Sequence, residues 1–168
     1  MDKTGTVGGA VGANAGMITG ITFSGVVEGT SGVQYGTGGI AGRNELESST
    51  GSIEDCVLAG DAESTGTRGV VKGISGDTGF GGYYDQVRGA YVGGICGVNP
   101  ENGMISGCKL QGGCSVSANY GYVGGIVAYN LGELKNNLSD PEGDGADAKA
   151  RPGIYNSGDK GNGRCVIG

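Results

Sequence analysis

The chain has 168 residues, a formal charge of −6 and no histidine, and it carries 41 glycines against 3 prolines. That length fits one domain with a real core and is short for two. The acidic balance and scattered basic residues argue against nucleic acid or an anionic membrane surface as partner, and glycine plus proline at roughly a quarter of the chain would signify disorder if no period organised it.

A period does organise it. The phrase "VGGAVGAN" at 7–14 returns as "TGGIAGRN" at 37–44, "VGGICGVN" at 92–99 and "VGGIVAYN" at 123–130. The double glycines at Gly8, Gly38, Gly93 and Gly124 fall 30, 55 and 31 residues apart, and asparagine follows at a fixed offset as Asn14, Asn44, Asn99 and Asn130. A period of two in this first strand puts Ala10, Ile40, Ile95 and Ile126 on the core face and Ala13, Arg43, Val98 and Tyr129 toward water. A second strand then runs as "ITGITFSG", "IEDCVLAG", "ISGCKLQG" and, in a decayed form, "LKNNLSD". Ile21, Cys56, Cys108 and Asn137 share one of its columns, and Phe23, Leu58, Leu110 and Ser139 another. A third short segment brings Tyr35 and Tyr120 back to the next double glycine, so each copy reads as about three short strands joined by glycine turns.

Repeats of roughly 20 to 50 residues signify stacked or radial arrays, because one unit cannot bury its apolar face alone. Glycine content and the lack of a sustained 3.6-residue period exclude helical units. The expected fold is all-β: a mostly parallel, right-handed β-solenoid of about four rungs, with handedness taken from the crossover rule. It forms a single domain over 1–168, with copies at about 7–36, 37–91, 92–122 and 123–165. A closed repeat fold such as a trefoil, barrel or propeller is the alternative. In a parallel stack the four asparagines lie about 4.8 Å apart and form an internal amide ladder. The other reading leaves them in ordinary turns.

The phrases "GAVG", "GIAG" and "GICG", followed by "GMITGITFSG" or "GMISGCKLQG", resemble the GLUG-motif repeat family over residues 5–138. The last copy departs from it at Ala128 and Asn137. The resemblance implies a large bacterial surface protein of the adhesin kind, with relatives that join such repeats to a peptidase cleaving immunoglobulin A. A zinc peptidase of that type needs H-E-x-x-H, which a chain without histidine cannot supply.

The long second interval holds an insertion at 64–88 with Arg68, Lys72, Asp77, Phe80, Tyr83, Tyr84, Asp85 and Arg88. Aromatic rings beside charges suit a glycan or peptide surface, while the plainer reading is a hairpin folded over the solenoid. Asp140, Glu142, Asp144 and Asp147 crowd one loop and make a weak calcium candidate, but they lack the spacing of a calcium loop and read as a solvated acidic segment. No phosphate loop, dinucleotide fingerprint or nucleophile elbow stands out, so no cofactor is expected. Five cysteines without a C-x-x-C pair do not read as a zinc site. Cys56 and Cys108 share a core column, within reach of a disulfide by separation, with free buried thiols the alternative.

The expected function is therefore noncatalytic: a stalk or adhesive module binding host glycan or protein, at the bacterial surface and outside the cell. No membrane insertion lies within this chain. A polysaccharide lyase or glycoside hydrolase using Asp77, Asp85, Lys72 and Arg88 is the rival. "CVIG" at 165–168 looks like the opening of a further copy, with Val166, Ile167 and Gly168 equivalent to Tyr122, Val123 and Gly124. Two readings follow: a fragment of a longer exported protein with more repeats, or a ring closed by pairing of this strand with the N-terminal segment around Thr6.

Overall fold

Short β-branched stretches punctuated by glycine cannot bury themselves singly, and here they pair with their equivalents from other copies. The computed structural model describes residues 5–29, 36–60, 68–73, 90–118, 121–138, 153–156 and 165–166. Among them the chain is all-β, without a helix, and its ladders are parallel apart from one small hairpin, Glu45–Leu46 with Ser49–Thr50. This is a β-solenoid-like architecture, not the antiparallel pairing on which trefoils, barrels and propellers rest.

Five parallel sheets run along the stack. The first holds Val7–Gly8, Gly36–Gly38, Ala90–Gly93, Gly121–Gly124 and Cys165–Val166. The second holds Val11–Ala13, Ala41–Arg43, Cys96–Asn99 and Val127–Asn130. Met17–Thr19, Ser52–Glu54, Met104–Ser106 and Glu133–Lys135 make the third. Thr22–Phe23, Val57–Leu58 and Lys109–Leu110 make the fourth, extended by a bridge from Lys109 to Leu138. The fifth consists of Val26–Gly29, Val70–Gly73, Ser115–Ala118 and Gly153–Asn156.

One full copy thus contributes five short strands, not three. What reads as a single second strand is broken by a residue with left-handed backbone: Gly20 (φ 68°), Asp55 (φ 51°), Gly107 (φ 64°) and Asn136 (φ 52°) occupy one column between the third and fourth sheets. Glycine, aspartate and asparagine are the residues that tolerate that conformation, and the chain turns a corner there. The fifth strand was hidden because the second copy places it inside the apparent insertion. "VVEG" at 26–29 and "VVKG" at 70–73 are in register, with Val71 beside Val27 and Val116. The block 64–88 is therefore not one continuous insertion: Val70 and Val71 are buried as part of the regular ladder.

The double glycine has a separate steric reason at each of its positions. A Cβ on Gly38 would collide with backbone of the second sheet, at 2.8 Å from Cys96 Cα and Ile95 O; a Cβ on Gly39 would lie 2.9 Å from Leu58 Cδ1 of the fourth sheet. The first and second sheets consequently pack backbone on backbone. Ile40, Ile53, Leu58, Val92, Ile95, Ile105, Leu110, Val116 and Ile126 fill the core. Two residues depart from the expected faces. Val98 is only 3% exposed, flanked in register by the longer Arg43 and Tyr129, and Ala10 is exposed because it lies in the first copy with no strand beyond it.

Ring closure is overturned. Val7–Gly8 and Cys165–Val166 are the two opposite edges of the first sheet, not neighbours. The register at the last strand also differs, since Cys165 pairs with Val123 and Val166 with Gly124.

Candidate functional site

The four asparagines form one continuous hydrogen-bonded column at the end of the second sheet. Asn14 Nδ2 donates to Asn44 Oδ1 at 2.8 Å, Asn44 Nδ2 to Asn99 Oδ1 at 2.9 Å, and Asn99 Nδ2 to Asn130 Oδ1 at 2.8 Å. Asn44 Nδ2 also meets the carbonyls of Gly51 and Met104, so the amides tie the second sheet to the start of the third. Asn44 and Asn99 are completely buried. A buried amide is tolerated only when both its ends are satisfied, and stacking at strand spacing satisfies both at once. Asn137 does related work near the end of the stack: its side chain accepts from Cys108 N–H and donates to Ile105 O, both at 2.9 Å.

Outside this scaffold the described surface carries an aromatic cluster. Tyr91 and Tyr122 are register neighbours in the first sheet, stacked with centroids 5.3 Å apart and planes 14° from parallel. Tyr129, from the second sheet, leans on Tyr91 at 5.1 Å and 42°. Tyr122 is 36% exposed and Tyr129 41%. The Tyr91 phenol is pushed above its ordinary pKa, first by burial and then by the adjacent Tyr122 and Tyr129. The phenol hydroxyls stand beside ring faces that water partly reaches. Sequence reasoning missed this cluster as a site. Its signal was the tyrosine standing two places before the double glycine in successive copies, which parallel stacking turns into ring stacking.

Of the binding residues expected from sequence, Arg68 and Lys72 are exposed. Lys72 points outward from the fifth sheet, in register between Glu28 and Ser117, so it belongs to a rung and not to an inserted loop. Asp77, Phe80, Tyr83, Tyr84, Asp85 and Arg88 lie outside the described residues, as do Asp140, Glu142, Asp144 and Asp147. Among the described residues no group of three or more histidine, cysteine, aspartate or glutamate side chains could hold a metal. An open depression between turns is lined by Asn102, Gly103, Met104, Leu131, Gly132 and Glu133, and its one carboxylate is engaged by Lys135 at 2.9 Å.

The cysteines Cys56, Cys96, Cys108 and Cys114 are free and buried. The stacked Cys56 and Cys108 are thus not joined. Burial pushes the thiols of Cys96, Cys108 and Cys114 up to about 12, the opposite of an activated nucleophile. Searches of family models, curated proteins and solved structures found no match to this chain.

Proposed function

We propose that the chain is a noncatalytic, GLUG-like repeat module of a bacterial cell-surface protein: a right-handed solenoid of about four rungs, followed by further repeats of the same polypeptide. It acts outside the cell as a stiff stalk with an adhesive surface for a host glycan or protein. The observation that carries this reading is the cluster of half-buried Tyr91 with exposed Tyr122 and Tyr129, mounted beside a buried amide ladder. Rings fixed by neighbouring strands lose little freedom on binding, and phenol donors at their rims suit the hydroxyls of a sugar whose apolar face lies on the ring. The noncatalytic part draws support from the absence of histidine in the chain and from thiols held protonated by burial.

The test is a glycan array read with wild type and two double variants, Tyr122→Ala/Tyr129→Ala and Arg68→Ala/Lys72→Ala. Excising 64–88 would be uninformative, because it removes the ladder strand Val70–Gly73. The tyrosine pair should lose roughly tenfold or more in affinity, as exposed aromatic anchors do, with unfolding still cooperative. No glycan retained by wild type would remove the glycan half of the reading. Turnover of any polysaccharide would remove the noncatalytic half.

A further inference from the structure

Parallel in-register pairing does to tyrosine what it does to asparagine: it sets like groups of neighbouring copies side by side. Tyr91 and Tyr122 are partners across the first sheet, on a ladder that continues through Val92 with Val123 and Gly93 with Gly124. Strands in such a ladder lie about 4.8 Å apart and send equivalent side chains the same way. The two rings stack, with centroids 5.3 Å apart and planes 14° from parallel, so the ring carbons beside each hydroxyl take up like positions. Burial and then Tyr122 raise the Tyr91 pKa, which places the two phenols within electrostatic reach of each other. On its other side in the ladder Tyr91 meets Gly36, which carries no ring.

Paired phenols of this kind are poised for oxidative coupling, and little else in the described structure competes. The chain has no tryptophan, the aromatic side chain that gives up an electron more readily than tyrosine. The thiols of Cys56, Cys96, Cys108 and Cys114 are buried away from an oxidant in water. Tyr122 and Tyr129 are exposed to it, and each touches the half-buried Tyr91, so a radical formed on any of the three is one ring away from the stacked pair.

We propose that Tyr91 and Tyr122 are a dityrosine cross-link site, closed by a haem peroxidase working with hydrogen peroxide. Each phenol loses one electron and one proton. The two radicals then join through ring carbons ortho to oxygen, and the hydrogen on each joined carbon moves to the neighbouring oxygen. Hydrogen peroxide takes up the two electrons and two protons and leaves as two waters. The exposed Tyr122 ring supplies the movement, tipping from a stacked to an edge-joined position. The product ties the third copy to the fourth by a carbon–carbon bond, where the ladder otherwise provides hydrogen bonds and packing. It does not rest on the adhesive reading, since a chain that binds no glycan would couple as readily.

The test treats the purified full chain, dilute enough to limit coupling between molecules, with a haem peroxidase and hydrogen peroxide. Blue dityrosine fluorescence and mass spectrometry of a tryptic digest are the readouts. Cleavage after Lys109 puts the two tyrosines in different peptides, and fragment spectra tell Tyr122 from Tyr120 and Tyr129. The monomer should yield the Tyr91 peptide joined to the Tyr122 peptide, two hydrogens lighter than their sum. Tyr122→Phe keeps the ring and removes the phenol, and the fluorescence of the monomer should fall at least about fivefold, because no other phenol is held face to face with Tyr91. The wild-type peptide map decides the matter whether or not the variant folds. No joined peptide in the monomer, a bond from Tyr91 to Tyr129 in place of Tyr122, fluorescence confined to cross-linked dimers, or a folded Tyr122→Phe monomer as fluorescent as wild type would each overturn the proposal.

Discussion

In the middle of the stack Ile53 and Ile105 are fully buried, whereas Ile18 at the head keeps 8% of its surface and Leu134 at the tail is only half-buried, although all four share one column. The asparagines divide in the same way. Asn44 has three acceptors for its amide and Asn130 has one. Like residues in one column are held according to how many neighbours flank them. In a stack each copy touches only the next, so its stability is an intrinsic part plus one interface on each side. The middle has two such interfaces and each end has one.

The sharpest way to break this comparison is to add one methyl group where the two sheets meet. In Gly42→Ala the new Cβ falls 2.6 Å from Gly36 O and Val7 N and 2.8 Å from Gly12 O, all of it backbone. We expect a loss of about 3 kcal/mol or more, read from urea unfolding. Gly12→Ala, whose Cβ meets Thr6 O at 2.9 Å in the head copy, should cost clearly less because that edge has room to shift. Ala128 already occupies the same column at the tail, as an end position allows.

Next in size is the core column. Ile105→Ala should cost about 3 kcal/mol, and Leu134→Ala about 1, because cavity cost follows burial. Equal losses at the two sites would contradict the nearest-neighbour account. The amide column gives a smaller contrast. Asn99→Ala removes the side-chain bonds to Asn44, Gly103 and Asn130 at once from a fully buried position and should cost about 2 kcal/mol, against less than about 1 for the exposed Asn130→Ala.

Alkaline titration reads the buried interior directly. The thiols of Cys96, Cys108 and Cys114 have folded-state pKa values raised from 9.0 to about 12 by burial, so above pH 9 the unfolded chain releases protons that the folded one retains. Stability attributable to them is complete below pH 9 and is lost as pH climbs toward 12. Cys96→Val, which copies Val11 and Val127 of the same column, should make that decline shallower. The smallest effect is a gain. Asp55 sits at φ 51° in a column where Gly20 and Gly107 stand, and Asp55→Gly should raise stability by about 0.5 kcal/mol by relieving left-handed strain.

Spacing alone made the asparagine column and the parallel stacking legible, because two intervals of 30 and 31 residues between similar phrases leave little freedom in how copies align. It did not reveal the corners. A pattern of alternating residues looks continuous through Asp55 or Asn136, since a single left-handed residue changes chain direction without changing apolar content. Nor did it reveal that "VVKG" at 70–73 is a rung, for unmatched sequence on both sides concealed its match to "VVEG".

The sequence by itself determined which residues repeat, and hence which become neighbours from copy to copy, because parallel in-register pairing preserves columns. Only the tertiary structure decided what lies across from each column. The backbone contact of the first and second sheets makes the double glycine a steric necessity at Gly38 and Gly39. The same approach brings Tyr129 of one sheet onto Tyr91 of another. Contacts between sheets depend on how the chain turns at its corners, and periodicity along one strand carries no record of that geometry.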